Sequence, residues 1–277
     1  MNLSGHDIGV CSWSLHPKDM ADLIAMVKQV GLSHIQLGML EYIDMPDDQR
    51  TRELAQLRDS GIAVTAGMIG FPGEDYSTIA MIRHTGGYVS DETFAARRQM
   101  TIRAAQLCAD MGVKKLSSHV GFVPASSNRN YEVMLQRIGE LAASLGDMGI
   151  QFGFETGQEP APELLQFLND LSRKNIFINF DPANMILYGA GDPIEAVRTL
   201  GRHIGHVHCK DATLSDQPGT AWGKEVPFGE GQVNVPAFIA ALKQVAYTGP
   251  LVIEREAGTN RLADVKFAIE SLKSALK

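Results

Sequence analysis

The sequence predicts an α/β fold, a single (β/α)8 barrel spanning residues 1–277, on three observations. Eight short β-branched or apolar runs alternate with helix-period segments along the whole chain. No linker or composition break divides them, and eight strand–helix units are the number that closes a parallel sheet on itself. A length of 277 residues suits one such barrel or two small units.

The first strand is expected over 8–13 (IGVCSW). Behind it, Met20, Leu23, Ile24, Val27 and Val30 recur at the spacing of a helix's buried stripe, with Pro17 near the start and Gly31 just past the end. Strands two, three and four are expected at 34–39 (HIQLGM), 63–69 (AVTAGMI) and 115–120 (KLSSHV). Leu141, Leu145 and Met148, closed by Gly149, mark a helix ahead of the fifth strand at 151–156 (QFGFET). The sixth covers 176–181 (IFINFD). Asp192-Pro193-Ile194-Glu195 places a cap residue, a first-turn proline and an acid three positions after the cap, a helix start ahead of the seventh strand at 204–209 (IGHVHC). The eighth is expected at 251–256 (LVIERE). An open doubly wound sheet is the alternative, but no GxGxxG follows the first strand and no GxxxxGK[ST] occurs, so its nucleotide-binding forms lack support.

Two connections, 70–90 and 211–233, exceed the roughly 12–15 residues beyond which a loop is usually functional or disordered. Both leave the carboxyl ends of strands, the face on which barrels carry active sites, and they read as covers of a pocket.

With 44% hydrophobic and 21% charged residues and no low-complexity run, disordered and fibrous classes drop out. The formal charge is −7 and Lys and Arg nowhere cluster, which argues against nucleic acid or a basic membrane patch as partner. No run approaches the roughly 18 apolar residues of a membrane span, and the amino terminus lacks a basic start followed by an apolar stretch. A cytoplasmic protein is expected. Cys11, Cys108 and Cys209 are odd in number and far apart, which fits a reducing compartment. Of the three, Cys209 lies beside interesting chemistry, although alternation turns it away from His208 and Lys210.

A strand built only for packing ends in apolar residues, yet four consecutive late strands end in metal-capable groups: Glu155, Asp181, His208 and Glu254. Barrel closure brings them around one point at the mouth. Three carboxylates and one imidazole suit a divalent ion such as Mn2+, Mg2+, Co2+ or Zn2+. Without a cation, three anions in a partly dry pocket repel or take up protons. Alternation places His206, His208 and Lys210 on one face of the seventh strand, with His206 deeper as a core histidine. Lys210, nearer the mouth, holds a substrate oxygen or pairs with Asp211. Glu256 shares the face of Glu254. His119, Gln36, Trp13 and His16 are the further candidates for substrate contact. In the second long connection Trp222 and Glu230 are expected to reach the pocket, and glycines at 219, 223, 229 and 231 suit a closing cover.

The ETG, FDPAN, HVHCKD, VPFGEG and LVIERE segments resemble the xylose isomerase-like barrel superfamily over nearly the whole chain. That group includes ketose 3-epimerases, inosose dehydratases, hydroxypyruvate isomerases and AP endonucleases. The resemblance implies that Glu155, Asp181, His208 and Glu254 hold one divalent cation, commonly manganese, and that Glu155 and Glu254 exchange protons with the substrate. Barrels of this group often associate into homo-oligomers, although no stripe of this sequence stands out as an interface. Asn184 stands where many epimerases and isomerases carry a histidine, and Leu214 where ketose 3-epimerases carry a substrate-binding arginine. The third strand, ending Met68-Ile69, offers no extra ligands for an endonuclease's metal cluster. The HxKD form of HVHCKD looks closer to inosose dehydratases and to many uncharacterised members of the group, which leaves the subfamily open.

The expected activity is a metal-dependent isomerase or epimerase of a sugar, sugar phosphate or polyol, working through an enediolate. Two alternatives use the same site: a keto-sugar or keto-inositol dehydratase or lyase, and a non-catalytic sugar-binding barrel that keeps the metal.

Overall fold

Strands that are apolar on both faces must be covered on both, and here they close into a ring with helices outside. The computed structural model describes all 277 residues. The barrel strands are β1 (His6–Cys11), β2 (His34–Gly38), β3 (Ala63–Ile69), β4 (Lys115–Ser118), β5 (Gln151–Glu155), β6 (Ile176–Phe180), β7 (Ile204–Cys209) and β8 (Leu251–Ile253). Each pairs in parallel with the next, and β8 returns to β1 through Leu251 opposite Ile8 and Ile253 opposite Val10. All eight expected strands are present.

The differences lie at strand ends. Strand β1 begins two residues earlier and stops at Cys11, because Ser12–Leu15 winds into a 3-10 turn. Strand β8 stops at Ile253, so Glu254 and Glu256 stand just beyond it. Likewise His119 follows β4, and Asp181 follows β6 as the cap of the helix Pro182–Tyr188.

The helix Met20–Gln29 buries Met20, Leu23 and Val27 as its stripe requires, but it starts from Asp19, whose carboxylate accepts from the Asp22 amide. Asp192 caps the helix Pro193–Leu200 through the amides of Ile194 and Glu195. Glu195 pairs with Arg198 instead of returning to the cap.

Inside the ring the lower layer is polar and internally satisfied. His206, fully buried, meets Asn179 Oδ1 at 2.8 Å and Thr65 Oγ1 at 3.0 Å, confirming it as a core histidine. Burial, followed by the neighbouring His208, holds its pKa well below the usual histidine range. Cys11, Cys108 and Cys209 are all buried and free.

The two long connections carry structure of their own. Residues 70–90 contain the helix Ile79–Thr85, and buried Arg97 ties the segment down by donating to the carbonyls of Thr85 and Gly87 at 2.7 and 2.6 Å. Glu74 accepts from the amides of Phe71 and Gly87 at 3.1 and 2.8 Å. A Cβ on Gly87, whose φ is +56°, would sit 2.1 Å from the backbone of Val120 and Gly121, so no side chain fits there. In the second connection Asp211–Thr213 and Lys224–Val226 form a short antiparallel hairpin. No helix is long and apolar enough to cross a membrane.

Candidate metal centre

The ring brings Glu155, Asp181, His208 and Glu254 together from β5 to β8, one ligand atom of each lying within 4.8 Å of all the others. His208 Nδ1 is 2.8 Å from Glu155 Oε1, 3.1 Å from Glu254 Oε2 and 3.6 Å from Asp181 Oδ2. These four facing atoms are buried, and apart from one another and the Lys210 ammonium beside Glu254 Oε2 they have no close polar partner. Buried polar atoms normally find partners, so four such atoms aimed at one point fit a shared cation.

The remaining oxygens are already used. Glu155 Oε2 meets His119 Nε2 at 2.7 Å, Glu254 Oε1 accepts from Trp13 Nε1 at 2.8 Å, and Asp181 Oδ1 accepts from the Asn184 amide at 3.0 Å. On the far side of the imidazole, His208 Nε2 lies 2.5 Å from Gln36 Oε1. An amide oxygen there holds the proton on Nε2 and leaves the Nδ1 lone pair facing the centre, the outer support that metal-binding histidines require.

Among the protein groups alone, the charges are strongly displaced. Burial raises Asp181 to about 6 against the pull of Lys210. Burial would also raise Glu155, but His119 and then His208 overcome it and lower the carboxyl to about 2. His119 is itself raised to about 9, the Glu155 carboxylate outweighing desolvation. Lys210 does not pair with Asp211. Its ammonium lies 3.0 Å from Glu254 Oε2, 2.5 Å from Glu256 Oε2 and 3.4 Å from Asn184 Oδ1.

A pocket of about 570 Å³ opens above the centre. Of the residues expected from sequence to touch substrate, His119, Lys210, Trp13, Trp222 and Glu256 line it. Three do not. Gln36 is buried beneath His208 as its support. His16 is exposed after the 3-10 turn and faces a neighbouring groove beyond Trp13. Glu230 is exposed, and the acid of its segment that reaches the rim is Glu225, which accepts from the Glu256 amide.

Tyr76, Tyr188 and Asn184 line the pocket without having been singled out as contacts. Asn184 was legible in principle, since it lies one helical turn beyond Asp181 and so faces the same way. The cysteine beside the chemistry is Cys11 rather than Cys209: its Sγ is 3.7 Å from His208 Nε2, and burial pushes the thiol up to about 12. A thiol so reluctant to ionise packs as a small hydrophobe.

One carboxylate anchors the rim. Asp211, right after β7 and Lys210, accepts from the amides of Ala212, Gly229, Gly231 and Val233 at 2.8 to 3.0 Å. Gly231 is required there, because a Cβ would fall 2.1 Å from Asp211 Oδ1. Beside the site, Glu159 is buried with Oε2 unpartnered, and desolvation, only partly relieved by the Val123 backbone, raises it to about 8.

A family model described as xylose isomerase-like TIM barrel matches residues 24–275. A xylose isomerase domain protein from Planctomyces limnophilus is 31% identical with a TM-score of 0.87, covering 99% of this chain and 96% of its own. A xylose isomerase-like TIM barrel protein from Mycobacterium smegmatis in complex with magnesium shares the fold at TM-score 0.74 and 16% identity, over 100% of both chains. Among curated proteins, an L-ribulose 3-epimerase from Methylomonas sp. (strain DH-1) is 27% identical over 143 residues, 50% of this chain and 46% of that protein. The chain spans about half the length of the first curated relatives it matches.

Proposed function

The chain belongs to the xylose isomerase-like TIM barrel family, and we propose that within it the protein is a divalent-metal-dependent isomerase or epimerase of a sugar or polyol. One observation carries this reading: three carboxylates and one imidazole from four successive strands, all buried, turn one atom each toward a single point. The donor set admits Mn2+, Mg2+, Co2+ or Zn2+. The Mycobacterium smegmatis relative with its magnesium and the Methylomonas epimerase support it.

A divalent ion held by Glu155, Asp181, His208 and Glu254 would polarise a ketose carbonyl and acidify the carbon beside it. Glu155 and Glu254 then act as base and acid. They reach the centre from β5 and β8, separated in the ring by β6 and β7, so one removes the carbon-bound proton and the other returns one to the enediolate. His119 on Glu155 and Trp13 on Glu254 hold the two carboxyl groups in place. Trp13, Tyr76, Tyr188 and Trp222 shield the pocket from water.

A second reading, loss of a β-hydroxyl, is favoured by Lys210. Burial opposes its charge, but Glu254 and then Glu256 keep the ammonium protonated, and it lines the pocket where it could donate to a departing oxygen. Incubating manganese-loaded protein with ketoses and keto-inositols in D2O tests both. Deuterium entering beside the carbonyl is expected, with net water loss marking the elimination. No exchange with any of them would leave a sugar-binding barrel that keeps its metal.

A further inference from the structure

A second groove, of about 430 Å³, adjoins the pocket, and Trp13 and Leu40 line both. Each cavity falls within the roughly 300–1,000 Å³ that ligand sites span. We infer that this groove holds the second ring of a glycosylated keto-sugar, a neutral sugar joined to the ring that reacts in the pocket. The inference rests on the ketose chemistry proposed for the pocket, since whatever extends from a bound ketose leaves through one of its hydroxyls.

Trp13 fixes the junction. Its Nε1 donates to Glu254 Oε1 at 2.8 Å, so the indole stands beside a carboxylate of the centre and also forms the groove's near wall. Leu40, 37% exposed, gives the apolar edge over which a glycosidic link can pass.

The groove's own residues decide the class of occupant. Asp19, Glu41 and Glu53 outnumber Lys18 among its charged side chains, which disfavours a phosphate, a nucleotide or a uronate. An alkyl or acyl chain would leave those carboxylates facing hydrocarbon. A sugar ring uses both kinds of wall, its C–H faces packing on the indole and its hydroxyls donating to Glu41 and Glu53. Tyr42 adds a donor: its ring is buried, and burial, then Glu53 and Glu41, raise its pKa and keep the hydroxyl protonated. His16 completes the groove from the end of the 3-10 turn, held at φ +50° where glycine is favoured. Such unfavourable backbone concentrates at sites that bind.

The test is calorimetric titration of the manganese-loaded protein with D-fructose and with its glycosides at O3, O4 and O6 (turanose, lactulose and isomaltulose), each also followed for deuterium exchange in D2O. At least one disaccharide is expected to bind about tenfold or more tightly than D-fructose. Tyr42→Phe and Glu41→Gln, which each remove one hydrogen-bonding group of the groove, are expected to cut that advantage about threefold or more. If no disaccharide binds more tightly than D-fructose, the inference fails, and deuterium exchange on any of the four sugars leaves the ketose reading standing. An advantage unmoved in both variants would also overturn it, by placing the second ring outside the groove. Absence of binding by all four sugars, together with no exchange, would overturn inference and ketose reading alike.

Discussion

The indole N–H of Trp222 donates to the backbone carbonyl of Tyr76 at 3.1 Å, so the two longest connections of the barrel join at the rim of the pocket. Trp222 also packs edge-on against Tyr188 at 4.7 Å. The base of its segment is pinned by Asp211, which confines any opening to the tip.

Trp222→Phe keeps the ring contact and removes the hydrogen bond, worth about 1 kcal/mol. Limited proteolysis between residues 214 and 222 is expected to speed up in the variant, and to slow in the unaltered protein when metal and ketose are added. Equal cleavage rates throughout would show that the bond closes nothing.

Asp181→Asn and His208→Ala are each expected to lower metal content, measured by elemental analysis after gel filtration. Removing the ion with a chelator should lower the melting temperature, since it leaves three buried carboxylates facing one another. Full occupancy surviving in the double variant would place the metal elsewhere.

Glu155→Gln and Glu254→Gln keep an oxygen for coordination but lose a base. Proton exchange on the true substrate is expected to fall by about 10²–10⁴ in each, with part of the metal retained. Near-normal turnover in either variant would reduce that glutamate to a ligand.

Gln36→Leu removes the acceptor behind His208 without touching the pocket. Metal affinity is expected to drop by about 10- to 100-fold, read by competition with a chromophoric chelator. An unchanged affinity would show that the imidazole needs no second support.

Glu159 supplies the pH test. Its folded pKa of about 8 exceeds its ordinary 4.5, so the folded state holds an extra proton between those values. The stabilisation is complete below the lower value and is lost as pH rises through the upper one, by up to about 1.4 kcal/mol per pH unit. Glu159→Gln, neutral at every pH, is expected to melt higher than the unaltered protein at about pH 9 and close to it at about pH 5. Parallel melting curves would contradict this.

All eight strands and the four converging polar side chains were legible because short apolar runs and polar strand ends are local signals. What escaped depended on neighbours in space. Gln36 read as a pocket residue because alternation gives the face of a strand but not the depth along the barrel axis. Cys11 went unnoticed since only ring closure sets β1 within reach of β7. His16 and Glu230 lie in turns, where no period reports direction, and their loops carry them outward.

The proposed ligands Glu155, Asp181, His208 and Glu254 appear in that order along the chain, the last just after the final strand. A ribosome therefore delivers the first long before the last, and an emerging chain lacks the full coordination sphere until β8 has docked between β7 and β1. If the centre holds the proposed ion, its tight capture would certify a finished ring, and a chain stalled or cleaved before Glu254 would bind it poorly.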